Sequence, residues 1–161
     1  MTTTTPPVNG QVIGLAHYAS RAALEKVLAR TGTTFNQSVA LRAVSDNGGT
    51  VERDRLVGRL TGALKIDESL ARETVGELTA RQLLDEPAAG QVSLTDSGRE
   101  LFEAVRTGGN AIAARLYAGI PAEDLATAGR VLALITERAD AELADGEPAD
   151  GESADIEAVG A

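Results

Sequence analysis

The chain has 161 residues, a net charge of −9, 43% hydrophobic residues, one histidine and no cysteine or tryptophan. That length suits one domain with a real core, and the missing cysteines exclude disulfides, a cysteine-based zinc site and a thiol nucleophile. Phe35, Phe102, Tyr18 and Tyr117 are the only aromatics, so the core must be built from Leu, Val, Ile and Ala, which favours packed helices over a β-sandwich.

Residues 1–9 are a Thr/Pro start without the basic and apolar regions of a signal peptide, and are expected to be disordered. Val12, Leu15, Ala16, Ala19, Ala23 and Val27 then recur at helical spacing, which predicts a first helix over 11–30 that stops at Thr31-Gly32. A second helix over 34–45 carries Val39, Leu41 and Val44 and ends at the turn signal Asp46-Asn47-Gly48-Gly49. A third, with Thr50 as its N-cap, carries Leu56, Val57, Leu60 and Leu64. The fourth follows Asp67, again an N-cap, and sets Leu70, Ala71, Val75, Leu78 and Gln82 on one face; so short a connection makes the third and fourth helices a helix-turn-helix.

Past Leu84 the period changes. Asp85-Glu86 leads through Pro87-Ala88-Ala89-Gly90 into Gln91-Val92-Ser93-Leu94, where Val92 and Leu94 alternate as in a short strand, so a small β-hairpin follows the fourth helix. Thr95 or Asp96 caps a long helix through Leu101, Val105, Ile112 and Leu116. After Ile120-Pro121, Leu125, Ala128, Leu132, Ile135, Ala139 and Leu143 mark a last amphipathic helix over 122–143. Residues 145–161 hold six acids and no Lys or Arg and read as a disordered acidic tail; without it the chain has 15 basic and 18 acidic residues, a net of −3. That balance neither requires nor forbids a nucleic-acid partner, because binding depends on a local basic surface.

The order of elements, with four stretches of sequence, resembles the MarR family of bacterial winged-helix regulators over residues 10–143. Val92-Ser93-Leu94-Thr95-Asp96-Ser97-Gly98-Arg99-Glu100-Leu101 is similar to the V-x-L-T-x-x-G-x-x-L that leads from that family's wing into its long dimerisation helix. Val51 to Leu60 resembles the first helix of the reading pair, Val75-Gly76-Glu77-Leu78 with Arg81-Gln82-Leu83-Leu84 resembles the close of the recognition helix, and Ile120 to Leu125 resembles the entry to the last helix. The resemblance implies a mainly α fold: a winged helix-turn-helix over 10–144 with a β-hairpin wing and with N- and C-terminal dimerisation helices. It implies a cytoplasmic homodimer that binds double-stranded DNA at a pseudo-palindromic site as a transcriptional repressor, controlled by a small-molecule effector.

A recognition helix needs an apolar face for its own domain and a small polar face for a major groove about 12 Å wide. Ser69, Arg72, Gly76 and Thr79, with Glu73 among them, lie opposite the apolar face of the fourth helix, and Arg53, Arg55, Arg59 and Lys65 are candidates for phosphate contacts. The hairpin departs from the family's wing, since 85–90 contains no arginine for a minor groove. His17, Tyr18 and Arg42 are candidates for an effector cleft, against the plainer reading that a lone histidine on a helix is packed or solvated. One histidine, no cysteine and no phosphate-binding loop leave nothing for an enzyme, a metal or a cofactor. The competing reading is a winged-helix module that binds protein and not DNA, because six acids match the six basic residues between Val51 and Leu83.

Overall fold

The computed structural model describes residues 7–145. Of the ends expected to be disordered, 1–6 and 146–161 lie outside the described residues, while Asn9 is the N-cap of the first helix and Asp145 ends the last. The chain divides into two compact units, one ending at Leu116 and one starting at Tyr117.

The first unit holds α1 (Gly10–Thr31), α2 (Phe35–Ser45), β1 (Thr50–Glu52), α3 (Arg53–Leu64), α4 (Glu68–Ala80), β2 (Leu84–Asp85), β3 (Gln91–Leu94) and α5 (Asp96–Leu116). Helices α1, α2 and α4 each begin where a side chain satisfies an otherwise orphaned backbone N–H. The Asn9 side chain accepts from Val12 N, and the Asp67 carboxylate accepts from Leu70 N at 2.8 Å. Thr34 and Gln37 form a reciprocal capping box at the start of α2. Gly32, with φ 62°, closes α1 in the left-handed conformation that a residue without Cβ adopts at little cost.

Ala40, Leu41 and Val44 of α2, Leu56, Val57 and Leu60 of α3, Ala71, Val75 and Leu78 of α4, and Leu84, Val92 and Leu94 of the sheet make one buried cluster. Its largest fully buried side chains are leucines, each worth roughly 1.5–3 kcal/mol of hydrophobic transfer, and α2 lies at the centre. α1 packs along α5 at Gly108 and Gly109: a Cβ at Gly108 would lie 2.6 Å from Val27 Cγ1, so a larger residue would force the helices apart.

The structure corrects two expectations within this unit. Thr50 does not cap α3 but opens strand β1, which pairs antiparallel with β3 (Val51 opposite Val92) and turns the expected hairpin into a three-stranded sheet ordered β1-β3-β2. Val51 is buried there, and α3 instead receives its first N–H partner from the hairpin, Arg53 N donating to Gly90 O at 2.7 Å. The apolar face of α4 is also narrower than expected. Leu70 is 37% exposed, the helix ends at Ala80, and Gln82 lies beyond it with φ 57°. Thr74 is buried in their stead, its hydroxyl donating to Leu70 O and so needing no other partner.

The motif at 94–98 has a steric and a hydrogen-bonding basis. Thr95 Oγ1 accepts from Gly98 N, capping α5, and donates to Gln82 O, while Thr95 N donates to Leu83 O. This lashes the start of α5 against the end of α4 so closely that a Cβ on Gly98 would lie 2.0 Å from Leu83 O.

The second unit contributes α6 (Ala122–Asp145) to the described residues. The helix carries Glu123 and Asp124 in its first turn, where carboxylates favour the helix dipole, and leaves Val131, Leu132, Leu134, Ile135 and Leu143 exposed. Among the described residues no helix is long and apolar enough to cross a membrane.

Candidate nucleic-acid interface

α4 is held on its inner side by Ala71, Thr74, Val75 and Leu78, all buried. A polar lock fixes its far end. Gln37 of α2, itself 4% exposed, donates from Nε2 to Glu77 Oε2 at 2.7 Å and accepts at Oε1 from Arg81 Nη1 at 2.8 Å and from Thr34 N at 3.2 Å. The glutamine thereby joins the cap of α2 to the last turn of α4. In sequence Gln37 is marked only as the N3 residue of a Thr34-x-x-Gln37 capping box, with nothing to show its bonds to α4, and it was not among the expected site residues.

The outer side of α4 presents Glu68, Ser69, Arg72, Glu73 and Gly76, all exposed, and a Cβ on Gly76 would meet no atom within 4 Å. Thr79 is half-buried and its hydroxyl donates to Val75 O at 3.0 Å within its own helix. Arg72 is held by acids on both sides of the helix-turn-helix. Its Nε donates to Glu68 Oε1 at 2.8 Å, and its Nη2 reaches Asp54 Oδ1 of α3 at 3.3 Å. The hydrogen bond and charge of Glu68, followed by those of Asp54, raise its pKa above the ordinary guanidinium value.

The remaining cations sit on or beside α3. Arg53 forms an ion pair with Glu86 at the tip of the hairpin, and beside it Gln91 Nε2 donates to Glu52 Oε1 at 2.9 Å, so the β2–β3 loop is tied to the start of α3. Arg59 Nη1 donates to Ala43 O at 3.3 Å, part of its charge going to the end of α2. Arg55 is exposed and, among the described residues, has no hydrogen bond or ion pair. Lys65, at the C-cap of α3, is exposed in the turn between the two helices, with φ 53°.

His17 and Tyr18 lie exposed on α1 and meet edge to face at 5.4 Å, while Arg42 is exposed on α2; among the described residues no contact joins Arg42 to either ring. The neighbouring contact that sequence reading missed is Arg21 over the Phe35 ring, 4.5 Å from its centroid. An open hollow of about 270 Å³ lies elsewhere in this unit, lined by Ser45, Gly48, Gly49, Leu94, Arg99, Phe102 and Glu103. None of the three effector candidates borders it. The described residues contain no cluster of three or more metal-ligating side chains.

Neither family models nor curated protein sequences match the chain. Solved structures do. A Mycobacterium tuberculosis MarR family protein in complex with DNA is 20% identical, with 81% of this chain and 98% of that one covered at a TM-score of 0.63. The Bordetella bronchiseptica protein BpsR, whose DNA binding is regulated by 6-hydroxynicotinic acid, is 23% identical, with 79% and 97% covered and a TM-score of 0.65. CouR from Rhodococcus jostii RHA1, bound to p-coumaroyl-CoA, is 20% identical, with 79% and 90% covered at 0.67.

The fold is the MarR winged helix. In that fold α3 and α4 are the helix-turn-helix and the β2–β3 loop is the wing. As its sequence indicated, this loop carries no arginine, and its Glu86 holds Arg53 in an ion pair.

Proposed function

We propose that the protein is a dimeric, sequence-specific DNA-binding transcriptional regulator of the MarR type, acting as a cytoplasmic repressor under the control of a small-molecule effector. The observation that carries this reading is the outer side of α4: a helix fixed along its inner face by buried residues and at its end by Gln37, with small and polar side chains outward and no Cβ at Gly76 to block close approach. That surface suits the major groove. Ser69, Gly76 and Thr79 belong to the groove-facing set or border it, with Arg72 beside them, and Arg53, Arg55, Arg59 and Lys65 supply phosphate contacts.

The exposed apolar side chains of α6 and, on α1, Leu15 and Tyr18 support burial against a second copy, because apolar faces of this kind are normally covered. A two-fold dimer would bring two recognition helices to successive grooves and so select pseudo-palindromic sites. His17, Tyr18 and Arg42 are the residues proposed to meet an effector.

A second reading, a module that binds protein and not DNA, is favoured by one observation: acids neutralise both Arg53 and Arg72. Selection from random duplexes at low ionic strength separates the two. Enrichment of a two-fold motif whose affinity falls steeply with salt supports the regulator, and the absence of salt-dependent duplex binding refutes it.

A further inference from the structure

We propose, resting on the DNA-binding reading above, that Glu73 and not Arg72 selects a base from α4, and that the base is cytosine. The two residues are neighbours on the exposed side of the recognition helix, but their side chains are in opposite situations. The Nε/Nη2 edge of Arg72 is occupied by Glu68, with Nη2 2.6 Å from Oε1, and Nη2 is shared with Asp54. To fork onto the N7 and O6 of a guanine the guanidinium would exchange two bonds to carboxylates for two bonds to neutral acceptors, and would leave Glu68 and Asp54 unpaired beside a phosphate backbone. Arg72 therefore stays with its acids and turns its remaining donors, on Nη1, toward the backbone.

Glu73 is the reverse case. It is exposed, and among the described residues its carboxylate has no hydrogen bond or ion pair. Side chains on a helix lean toward its N-terminus, so the Glu73 carboxylate extends over the turn that begins at Ser69, and the N-terminal part of a recognition helix is the part that meets base edges. One turn further along, Gly76 leaves open space, so the backbone beside Glu73 can come close to the floor of the groove. A carboxylate is purely an acceptor. Of the four bases cytosine offers only a donor, its N4 amino group, on the major-groove edge, while guanine N7 and O6 and thymine O4 would repel it. A free carboxylate in this position is thus a poor general DNA contact and a good discriminator, since the wrong base is penalised as well as the right one rewarded.

The test is selection from random duplexes with the full-length wild type, Glu73→Gln and Arg72→Ala, together with salt titrations of each. Glutamine keeps the size of Glu73 but forks onto adenine through N6 and N7, so a cytosine in each half-site of the wild-type motif should become adenine, with about tenfold discrimination, the low end for one polar contact. Arg72→Ala should weaken all duplexes alike and lower the salt slope by about one, leaving the motif unchanged. If Glu73→Gln tightens binding to every duplex without altering the motif, the carboxylate is only a solvated charge and the proposal is overturned. A base preference that changes with Arg72→Ala overturns it equally. Failure of the wild type to bind any duplex would instead refute the DNA-binding reading on which the proposal stands.

Discussion

Replacing Gly98 by alanine should cost about 1–4 kcal/mol of stability, although alanine is the better helix former. The Cβ would lie 2.0 Å from Leu83 O, 3.0 Å from Leu83 C and 3.2 Å from Leu94 Cδ2, and the nearest of these atoms are backbone, which cannot rotate away as a side-chain end can. Overpacking of this kind costs roughly 1–3 kcal/mol. Relief by moving the start of α5 would also break the Thr95 cap and its bonds to Gln82 and Leu83, a further loss of about 1–2 kcal/mol. Against these stands a gain of about 1 kcal/mol from helix propensity. Urea unfolding followed by circular dichroism at a fixed protomer concentration measures the balance, and with a slope of about 2 kcal/mol per molar the midpoint should fall by roughly 0.5–2 M. Gly76→Ala is the internal control. It is also helical but meets nothing within 4 Å, so it should raise stability by about 0.5–1 kcal/mol. A Gly98→Ala midpoint equal to or above that of the wild type would refute the steric account of the 94–98 motif.

Glu86→Gln should release Arg53 for a phosphate, tightening DNA binding and steepening the dependence of log affinity on log salt by about 0.9; an unchanged slope in a fluorescence anisotropy titration would mean that Arg53 does not reach the backbone. Gln37→Leu should lower unfolding free energy by about 1–3 kcal/mol, because Glu77 and Arg81 lose their shared partner, and should weaken duplex binding further by loosening the end of α4. A variant with wild-type stability and DNA affinity would refute that role. Leu132→Glu combined with Ile135→Glu should convert a dimer into a monomer in sedimentation equilibrium while α6 retains its helicity, and a dimer mass for the double variant would remove α6 from the interface.

Where the sequence was informative, one strong local signal was present. Asp67 before an amphipathic run, Gly32 after one, and Val92 and Leu94 two residues apart each determine their own surroundings, and the helices and β3 stand where these signals place them. The misses depended on partners distant in the chain. Thr50-Val51-Glu52 is too short for a strand to show any period, and it becomes one only because Gln91-Val92-Ser93 is there to pair with it. A threonine ahead of a helical run looks like an N-cap until that partner is known. Leu70 looked internal because it is a leucine, but the faces of a helix are fixed by what packs on them, and on α4 Thr74 is buried instead. For the candidate interface, the Glu68–Arg72 pair is visible as an i,i+4 spacing, whereas Asp54, on the preceding helix, joins it only through the angle of the turn. The latch between Arg53 and Glu86 and the two bonds of Gln37 to Glu77 and Arg81 leave no trace in local pattern at all.

On the proposed reading, the attachment of the wing to α3 bears on what kind of DNA the protein would tolerate. Arg53 is held twice, through its backbone N–H to Gly90 and through its guanidinium to Glu86, and Gln91 adds a third tie through Glu52. A wing fastened in this manner acts as a caliper with a set gap. On a duplex whose local width did not fit, the energy of adjustment would fall on the nucleic acid, and soft base steps would be favoured over stiff ones at positions that no side chain touches.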